Sequence, residues 1–526
     1  MYRNKPSKLI FHLALLTICI FLNATNGFGK NLQNEKKKRP NLLFIMTDQQ
    51  RFDALSYAGN KVLHTPNMDR IAKEGVYFKN AHTQCAVCTP ARASMLTGHT
   101  VANTQVISNK LAYVSEETGI MPMQTYDEIL AENGYECEYY GKWHTPTFRA
   151  RIYNNPVTVA GKSKSELGPG KKAAYLSFLD PLFPQRKLKE DELEDTYTNR
   201  PYSPDPLDKR YEFKQQGKDY DIRVGQSDIH GVITIPSEYH ISAFEGGKTI
   251  KALEKLKDKT FSLTCSFHHP HPPYLAAEKY IKMYPPEEMV LPENIGDDMA
   301  TSAYLRTKKR TSESYSNPEK IKFFISEYYA MVKEVDDWVG AILNKLDELG
   351  LTENTMVIFV SDHGEMLGSH GLRGKFNFYE ESSHVPMLIK FPGKIKAGIT
   401  VDSPVSNMDL FATILDYLEM PETPSDGKSL RGLIEGTANK DKYIVTEWLS
   451  DLKTKPSHMV LEDGWKLMLP HSSASDDLKA LYNLNEDPYE LKNLLGSNPE
   501  SENYASKVAE LESCFREWTK QTARNY

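Results

Sequence analysis

The chain has 526 residues, enough to bury a large core with a second unit attached. Its formal charge of −6 is spread with the signs interspersed, which offers no basic patch for nucleic acid. One of six cysteines, Cys19, falls in the apolar start; the remaining five are an odd number, which excludes a fully paired disulfide framework.

Residues 1–27 read as a secretory signal: Arg3, Lys5 and Lys8, an apolar run over 9–22, then small and polar residues through Gly27. The run is too short for a bilayer span, so no integral membrane segment is expected. No Asn-x-Ser/Thr sequon follows it, which favours an exported bacterial protein, periplasmic or secreted, over a glycosylated one. A charged linker occupies 30–39.

Residues 41–46 form a continuous apolar run, the mark of a strand buried on both faces, and it ends in Thr47-Asp48-Gln49. A capped helix follows over 65–75, a strand over 76–78, and then a helix from Cys88 to Thr97 with Pro90 in its first turn and Gly98 as its stop. The strand-then-polar pattern recurs three times. A helix over 125–133 leads to a strand over 135–140 and Gly141-Lys142-Trp143-His144. A helix over 244–256 leads to a strand over 261–267 and His268-His269-Pro270-His271. A long amphipathic helix over 321–349 leads to a strand over 356–360 and Asp362-His363-Gly364. Alternation of this kind predicts an α/β fold, a large, mostly parallel sheet sandwiched by helices, with polar residues delivered to one rim.

Between about 145 and 237 the periodicity dissolves, which predicts a substrate-binding insertion or lid; a second polar loop at about 280–318 frames the same cleft. After a helix at 408–418 the pattern changes to antiparallel strands at 443–448, 459–461 and 465–468, the last two joined across Glu462-Asp463-Gly464, and a final helix over 503–521. The expected organisation is a signal, a catalytic domain over 28–430, and a smaller C-terminal α+β unit over 431–526.

Cys88 at the mouth of a helix sits beside N–H groups with no internal partner, an anion site, and Arg92 one turn on adds a fork of donors. Cys85-Ala-Val-Cys88 is also a Cys-x-x-Cys, which suits a redox pair or half a zinc site, but no second pair of cysteines is present to complete one. Asp48, Gln49, Asp362 and His363 stand at equivalent strand ends and offer two carboxylates and an amide oxygen to a divalent cation. An isolated Asp there would be a helix cap or loop hydrogen bond; two such pairs argue for metal.

The stretch Cys88, Pro90, Arg92, Thr97, Gly98 resembles the signature of the type I sulfatases of the alkaline phosphatase-like superfamily, and residues 481–494 are similar to a stretch near the end of many sulfatases. The resemblance implies that a maturation enzyme oxidises Cys88 to formylglycine. It implies further that Asp48, Gln49, Asp362 and His363 hold Ca²⁺, with Mg²⁺ or another divalent ion as alternatives because a nitrogen ligand is unusual for calcium. Lys142 and His144 would support the formylglycine and sulfate, while His271 and Lys375 would contact the sulfate or protonate the leaving alcohol. The expected substrate is a sulfated carbohydrate. The Asp-Gln plus Asp-His set also resembles the phosphonate monoester hydrolases, a second enzymatic reading, and a non-catalytic binder of sulfated glycans is a third. His268 and His269 are expected to be structural, with His370 and His384 open between a supporting and a structural role.

Overall fold

The computed structural model describes residues 39–153, 178, 180–182, 230–233, 235–304, 317–437, 443–472 and 474–522. The signal-like start, most of the linker and most of the 145–237 insertion lie outside the described residues. The strands are β1 (Asn41–Thr47), β2 (Val76–His82), β3 (Glu136–Gly141), β4 (His230–Ile233), β5 (Phe261–Ser266), β6 (Tyr274–Ala277), β7 (Thr355–Ser361), β8 (Met387–Lys390), β9 (Ile399–Ser406), β10 (Tyr443–Glu447), β11 (His458–Glu462), β12 (Trp465–Leu469) and β13 (Ala480–Asn483). Seven of them form one sheet in the order β3-β5-β1-β7-β8-β2-β9. All neighbours in it are parallel except β8, which runs antiparallel to β7 and β2.

Helices cover both faces: α1 (Pro66–Lys73), α2 (Cys88–Thr97), α3 (Tyr126–Glu132), α4 (Ile241–Leu256), α5 (Pro318–Glu348), α6 (Leu410–Tyr417) and α7 (Ala505–Thr522). The two-residue alternation of a strand sorts the core. Leu43 and Ile45 of β1 and Val357 and Phe359 of β7 pack with α1, α4 and α5. Leu42, Phe44 and Met46, with Met356, Ile358 and Val360, pack with α2, α3 and α6 on the opposite face. Every residue of β1, β5 and β7 is buried, which is why β1 and β7 read as nearly continuous apolar runs, while Ser262 and Thr264 of β5 are accommodated by hydrogen bonds to Asp127 and Tyr126.

Register decides where the polar ends fall. Thr47 pairs with Ser361, Met46 with Ser266, and Ser266 with Gly141, so four strands finish level with one another. Ladder bonding runs one residue further: Asp362 N–H donates to Thr47 O at 3.2 Å, Phe267 N–H to Met46 O at 2.8 Å, and Lys142 N–H to Ser266 O at 2.8 Å. The residues after the strands therefore inherit the rigidity of the sheet.

β10 to β13 form a separate antiparallel sheet in chain order. Val460, Leu467 and Leu481 pack under α7, while Met459, Met468 and Tyr482 face Met366, Phe378 and Tyr379 of the segment that follows β7. β8, β9 and β13 were not expected as strands, and the short pair β4–β6 adds a two-stranded parallel ribbon. Among the described residues no helix is long and apolar enough to cross a membrane.

Candidate active site and metal centre

α2 begins at Cys88 because Val87 before it is extended and Ala91 N–H closes the first turn on Val87 O at 2.9 Å; it ends where Gly98 turns left-handed at φ 71°. The whole helix is buried. Its first residue meets the level strand ends. The Cys88 sulfur lies 3.0 Å from His363 Nε2, 3.3 Å from Lys375 Nζ, 3.8 Å from Lys142 Nζ and 3.9 Å from Asp48 Oδ1. Burial and Asp48 oppose the thiolate, but Lys142, Lys375 and His363 outweigh them and hold the thiol well below its usual range.

Arg92, one turn on, is not an open fork. Its Nε donates to Asp362 Oδ2 at 2.8 Å, one terminal nitrogen to Asp48 Oδ2 at 3.1 Å, and the other to Lys142 O at 2.7 Å and Ser266 Oγ at 2.9 Å. Both carboxylates and the guanidinium have no exposed side-chain surface. Sequence reasoning expects Arg92 to contact an oxyanion; its engaged donors make it the brace that sets the two carboxylates side by side. Lys142 pairs with Asp48 from the far side. Against the burial penalty, Lys142, His271 and Arg92 keep Asp48 well below the usual carboxylate range.

Asp48, Asp362 and His363 present ligand atoms within 4.8 Å of one another and of the Cys88 sulfur. His363 Nδ1 lies 2.9 Å from Gly364 O, which can only accept, so Nδ1 carries a proton and Nε2 is the nitrogen that faces the cluster. Asp362 Oδ1 is held by Gln49 N–H at 3.0 Å and His363 N–H at 2.9 Å. Gln49 has φ 72°, and its side-chain Oε1 accepts from Lys375. Two carboxylates, an amide oxygen and an imidazole lone pair are a donor set that fits a divalent cation. Gly141 and Gly364 flank these residues, and a Cβ would meet Ser266 O at 1.8 Å in the first and Glu381 O at 2.0 Å in the second. Only glycine lets the backbone pass there.

His144 and His271 reach the same centre. His144 adopts φ 43° and its Nδ1 has no hydrogen-bond partner; burial pushes it down, an effect its contact with Cys88 only partly offsets. His271 donates Nδ1–H to Pro272 O at 2.6 Å, and burial together with Lys375 and Lys142 keeps it well below the usual histidine range. All ten residues named from the sequence thus converge on one place. His268 pairs with Glu245, and His269 bonds Ser242 Oγ at 2.9 Å. His370 pairs with Asp297 at 2.6 Å and stacks on Tyr379, while His384 pairs with Glu380 at 2.8 Å and stacks on His82. His82, Glu380 and His384 are a second group with metal-like spacing, but the buried Lys466 ammonium, 2.7 Å from Glu380 Oε1, already supplies the cation. Cys85 is a free, buried thiol whose burial raises it well above its usual range.

Two residues of the site escaped the sequence reading. Ser266 closes β5 and joins Arg92 to Lys142 O. Glu365, two residues beyond His363, contacts the Gln49 amide. The only signal for it is an acid in the short run after Asp362-His363-Gly364.

Residues 40–420 match the family model Sulfatase, and residues 368–520 match the model N-sulphoglucosamine sulphohydrolase, C-terminal. An ulvan-active sulfatase of Formosa agariphila is 28% identical over 90% of this chain and 81% of its own length. An N-acetylglucosamine-6-O-sulfatase of Bacteroides thetaiotaomicron is 25% identical over 99% and 92%. In structure the chain resembles the phosphonate monoester hydrolase of Agrobacterium radiobacter, with TM-score 0.71 and 22% identity over 92% of this chain and 96% of that one, a likeness of fold. The sulfatase match runs from the first strand of the large sheet through α6 and takes in every residue gathered around Cys88; on that ground the chain belongs to the sulfatase family of sulfuric ester hydrolases.

Proposed function

We propose that this chain hydrolyses sulfate esters on a sulfated carbohydrate, using residue 88 as formylglycine and a divalent cation held by Asp48, Gln49, Asp362 and His363. The observation that carries the reading is the cluster itself: a helix-start cysteine enclosed by two lysines, an imidazole nitrogen and a carboxylate, all within 4 Å of its sulfur. A hydrated aldehyde at this position would supply one hydroxyl to attack sulfur and expel the alcohol, and a second whose deprotonation re-forms the carbonyl and releases sulfate, and the cation would supply positive charge that lowers the pKa of the attacking hydroxyl. The maturation enzyme that makes the aldehyde is a partner of this reading.

The chain's own residues do the rest. A sulfuryl group in transfer spreads negative charge over its equatorial oxygens, and the Lys142 and Lys375 ammonium groups are already placed to meet it without reorganising. His144 and His271 carry lone pairs or protons at the edge of the same space, and His271 or Lys375 returns a proton to the departing alcohol. An anionic ester between the two lysines offsets part of the positive charge that, together with burial, holds His271 below the usual histidine range. Arg92 and Ser266 act at one remove by fixing Asp48, Asp362 and the Lys142 backbone.

A carbohydrate substrate is supported by two relatives, the ulvan-active sulfatase and the N-acetylglucosamine-6-O-sulfatase. It is supported too by a shallow recess beside Lys375, lined by Arg373, Lys455, Tyr304, Phe376 and Asn377, which brings two further basic residues and no acidic one to the edge of the site. Such a lining suits a second anionic group on a polymer. Export through the residue 1–27 signal is the matching expectation for an enzyme of extracellular glycans.

The test is the mass of the peptide containing residue 88 from natively matured protein, beside sulfate release from sulfated polysaccharides. Loss of the thiol with gain of an aldehyde and sulfate release is the expected result; an intact thiol with no release sinks the mechanism. Phosphonate monoester hydrolysis is the second reading, favoured by the Gln49 and His363 ligand pair and the fold likeness. Faster turnover of aryl phosphonates than of aryl sulfates would establish it.

A further inference from the structure

We propose that Glu365 is the positioning residue that makes Gln49 a metal ligand and ties that ligand to Lys375. The inference rests on the metal reading of the site. A glutamine offers a cation one usable atom, its amide oxygen, and a half-turn about the last side-chain bond replaces that oxygen with an NH₂ group that repels the ion. Something must therefore hold the NH₂ away from the cluster. Glu365 does so. Its carboxylate is fully buried and its Oε2 accepts from Gln49 Nε2, which turns Gln49 Oε1 toward Lys375 and the Cys88 side.

The other carboxylate oxygen works on the opposite arm of the site. Glu365 Oε1 accepts the Leu367 N–H at 3.0 Å and the Gly374 N–H, immediately before Lys375. Met366 N–H closes the same loop on Gly374 O at 2.7 Å, and Arg51 clamps the carbonyls of Glu365 and Met366 at 3.1 and 3.0 Å. One side chain thus sets a ligand from the end of β1 and a cation from the loop after β7 relative to each other, although 326 positions separate Gln49 from Lys375. The requirement is specific to an amide at position 49, because a carboxylate ligand there has no wrong end to restrain.

That specificity gives a test in which a pure loop staple and a ligand-orienting residue differ. In Glu365→Gln, one face of the new amide must accept from Leu367 and Gly374, which turns its NH₂ against the NH₂ of Gln49. In Gln49→Glu, two carboxylates abut. In the exchange Q49E/E365Q every donor again meets an acceptor: the amide at 365 donates to the carboxylate at 49 and still accepts from Leu367 and Gly374 N–H.

Metal-free protein titrated calorimetrically with Ca²⁺ alone, and separately with Mg²⁺ alone, reads this directly. E365Q should weaken binding of the ion about 10–100-fold, the scale of losing a partner that orients a metal ligand. The exchange variant, whose ligand at 49 needs no orienting, should bind at least as tightly as wild type. Wild-type affinity in E365Q, or an exchange variant as weak as E365Q, overturns the proposal. Should E365Q not fold, Q49E against Q49E/E365Q decides alone: with no amide at 49 to orient, the second substitution should cost less than about threefold, and a loss of about tenfold or more overturns the proposal. Wild-type protein that binds neither ion removes the metal reading as well, so the two failures are distinguishable.

Discussion

Replacing Arg92 by methionine tests what holds the centre together. The guanidinium makes four hydrogen bonds, two of them to carboxylates with no exposed surface, and methionine fills much of the same stem. The loss is then mainly one of charge. Lys142 O keeps Tyr139 Oη at 2.7 Å and Ser266 Oγ at 2.8 Å, so its lost bond contributes little. Asp362 loses its guanidinium partner, and stripping one partner from a buried pair costs about 3–5 kcal/mol. Unfolding entropy of about 2.1 cal/mol/K per residue makes about 1 kcal/mol per degree for a chain of this size, so the melting temperature in chelator should fall by about 3–5 °C. Adding Ca²⁺ should shrink the deficit, because the ion neutralises the same two carboxylates. Arg92→Lys, which keeps the charge but not the fork, should fall between the two. Scanning calorimetry at one scan rate, with and without ion, gives all three values. An Arg92→Met protein that melts within about 1 °C of wild type in chelator would refute the brace, since the carboxylates would then have to be neutral or hydrated.

Asp127 is buried against Ser262 Oγ at 2.6 Å and Tyr153 Oη at 2.7 Å, and burial raises it to about 6. A raised folded pKa stabilises below the unfolded value and the contribution is lost as pH climbs from about 4 through 6; relative to Asp127→Asn, wild type should therefore lose about 2 kcal/mol between pH 4 and 7 in urea titrations. A difference that does not vary with pH would contradict the desolvation. Gly141→Ala places a Cβ 1.8 Å from Ser266 O at φ +97°, and should destabilise by about 3 kcal/mol or more, with little soluble protein on expression. Arg373→Ala should raise KM for a sulfated polysaccharide about tenfold while leaving small aryl sulfates unchanged, the value of one charge-assisted contact in the recess. Equal effects on both substrates would remove the recess from recognition.

Much of the site could be read from the chain alone because its residues follow strong local signals. Asp48 and Asp362 each come directly after a buried, largely apolar strand, and Lys142 follows the strand that starts at Glu136; parallel strands of this kind end at the same edge of the sheet whatever lies between them. Cys88, Pro90 and Arg92 share one helix turn, where spacing and geometry are the same thing. β8 and β9 left no comparable signal: Met387–Lys390 is only four residues and antiparallel, and Ile399–Ser406 alternates buried with exposed positions beside prolines and serines. Ala480–Asn483 gained its strand conformation by pairing with β12, a long-range bond rather than a local preference. His370 and His384 could not be placed because their partners, Asp297 and Glu380, belong to separate loops or depend on how a four-residue helix is packed.

Sequence by itself determined which residue types reach the rim and in what chemistry: carboxylates, an amide, imidazoles, lysines and one cysteine at a helix start. Tertiary structure alone decided how they face one another. It turned Arg92 from an anion fork into a brace between Asp48 and Asp362 and set Glu365 against the Gln49 amide. The reason is physical: periodicity records which positions are buried and where a strand stops, while the direction of a hydrogen bond depends on a partner hundreds of residues away, brought opposite only by the register of the sheet.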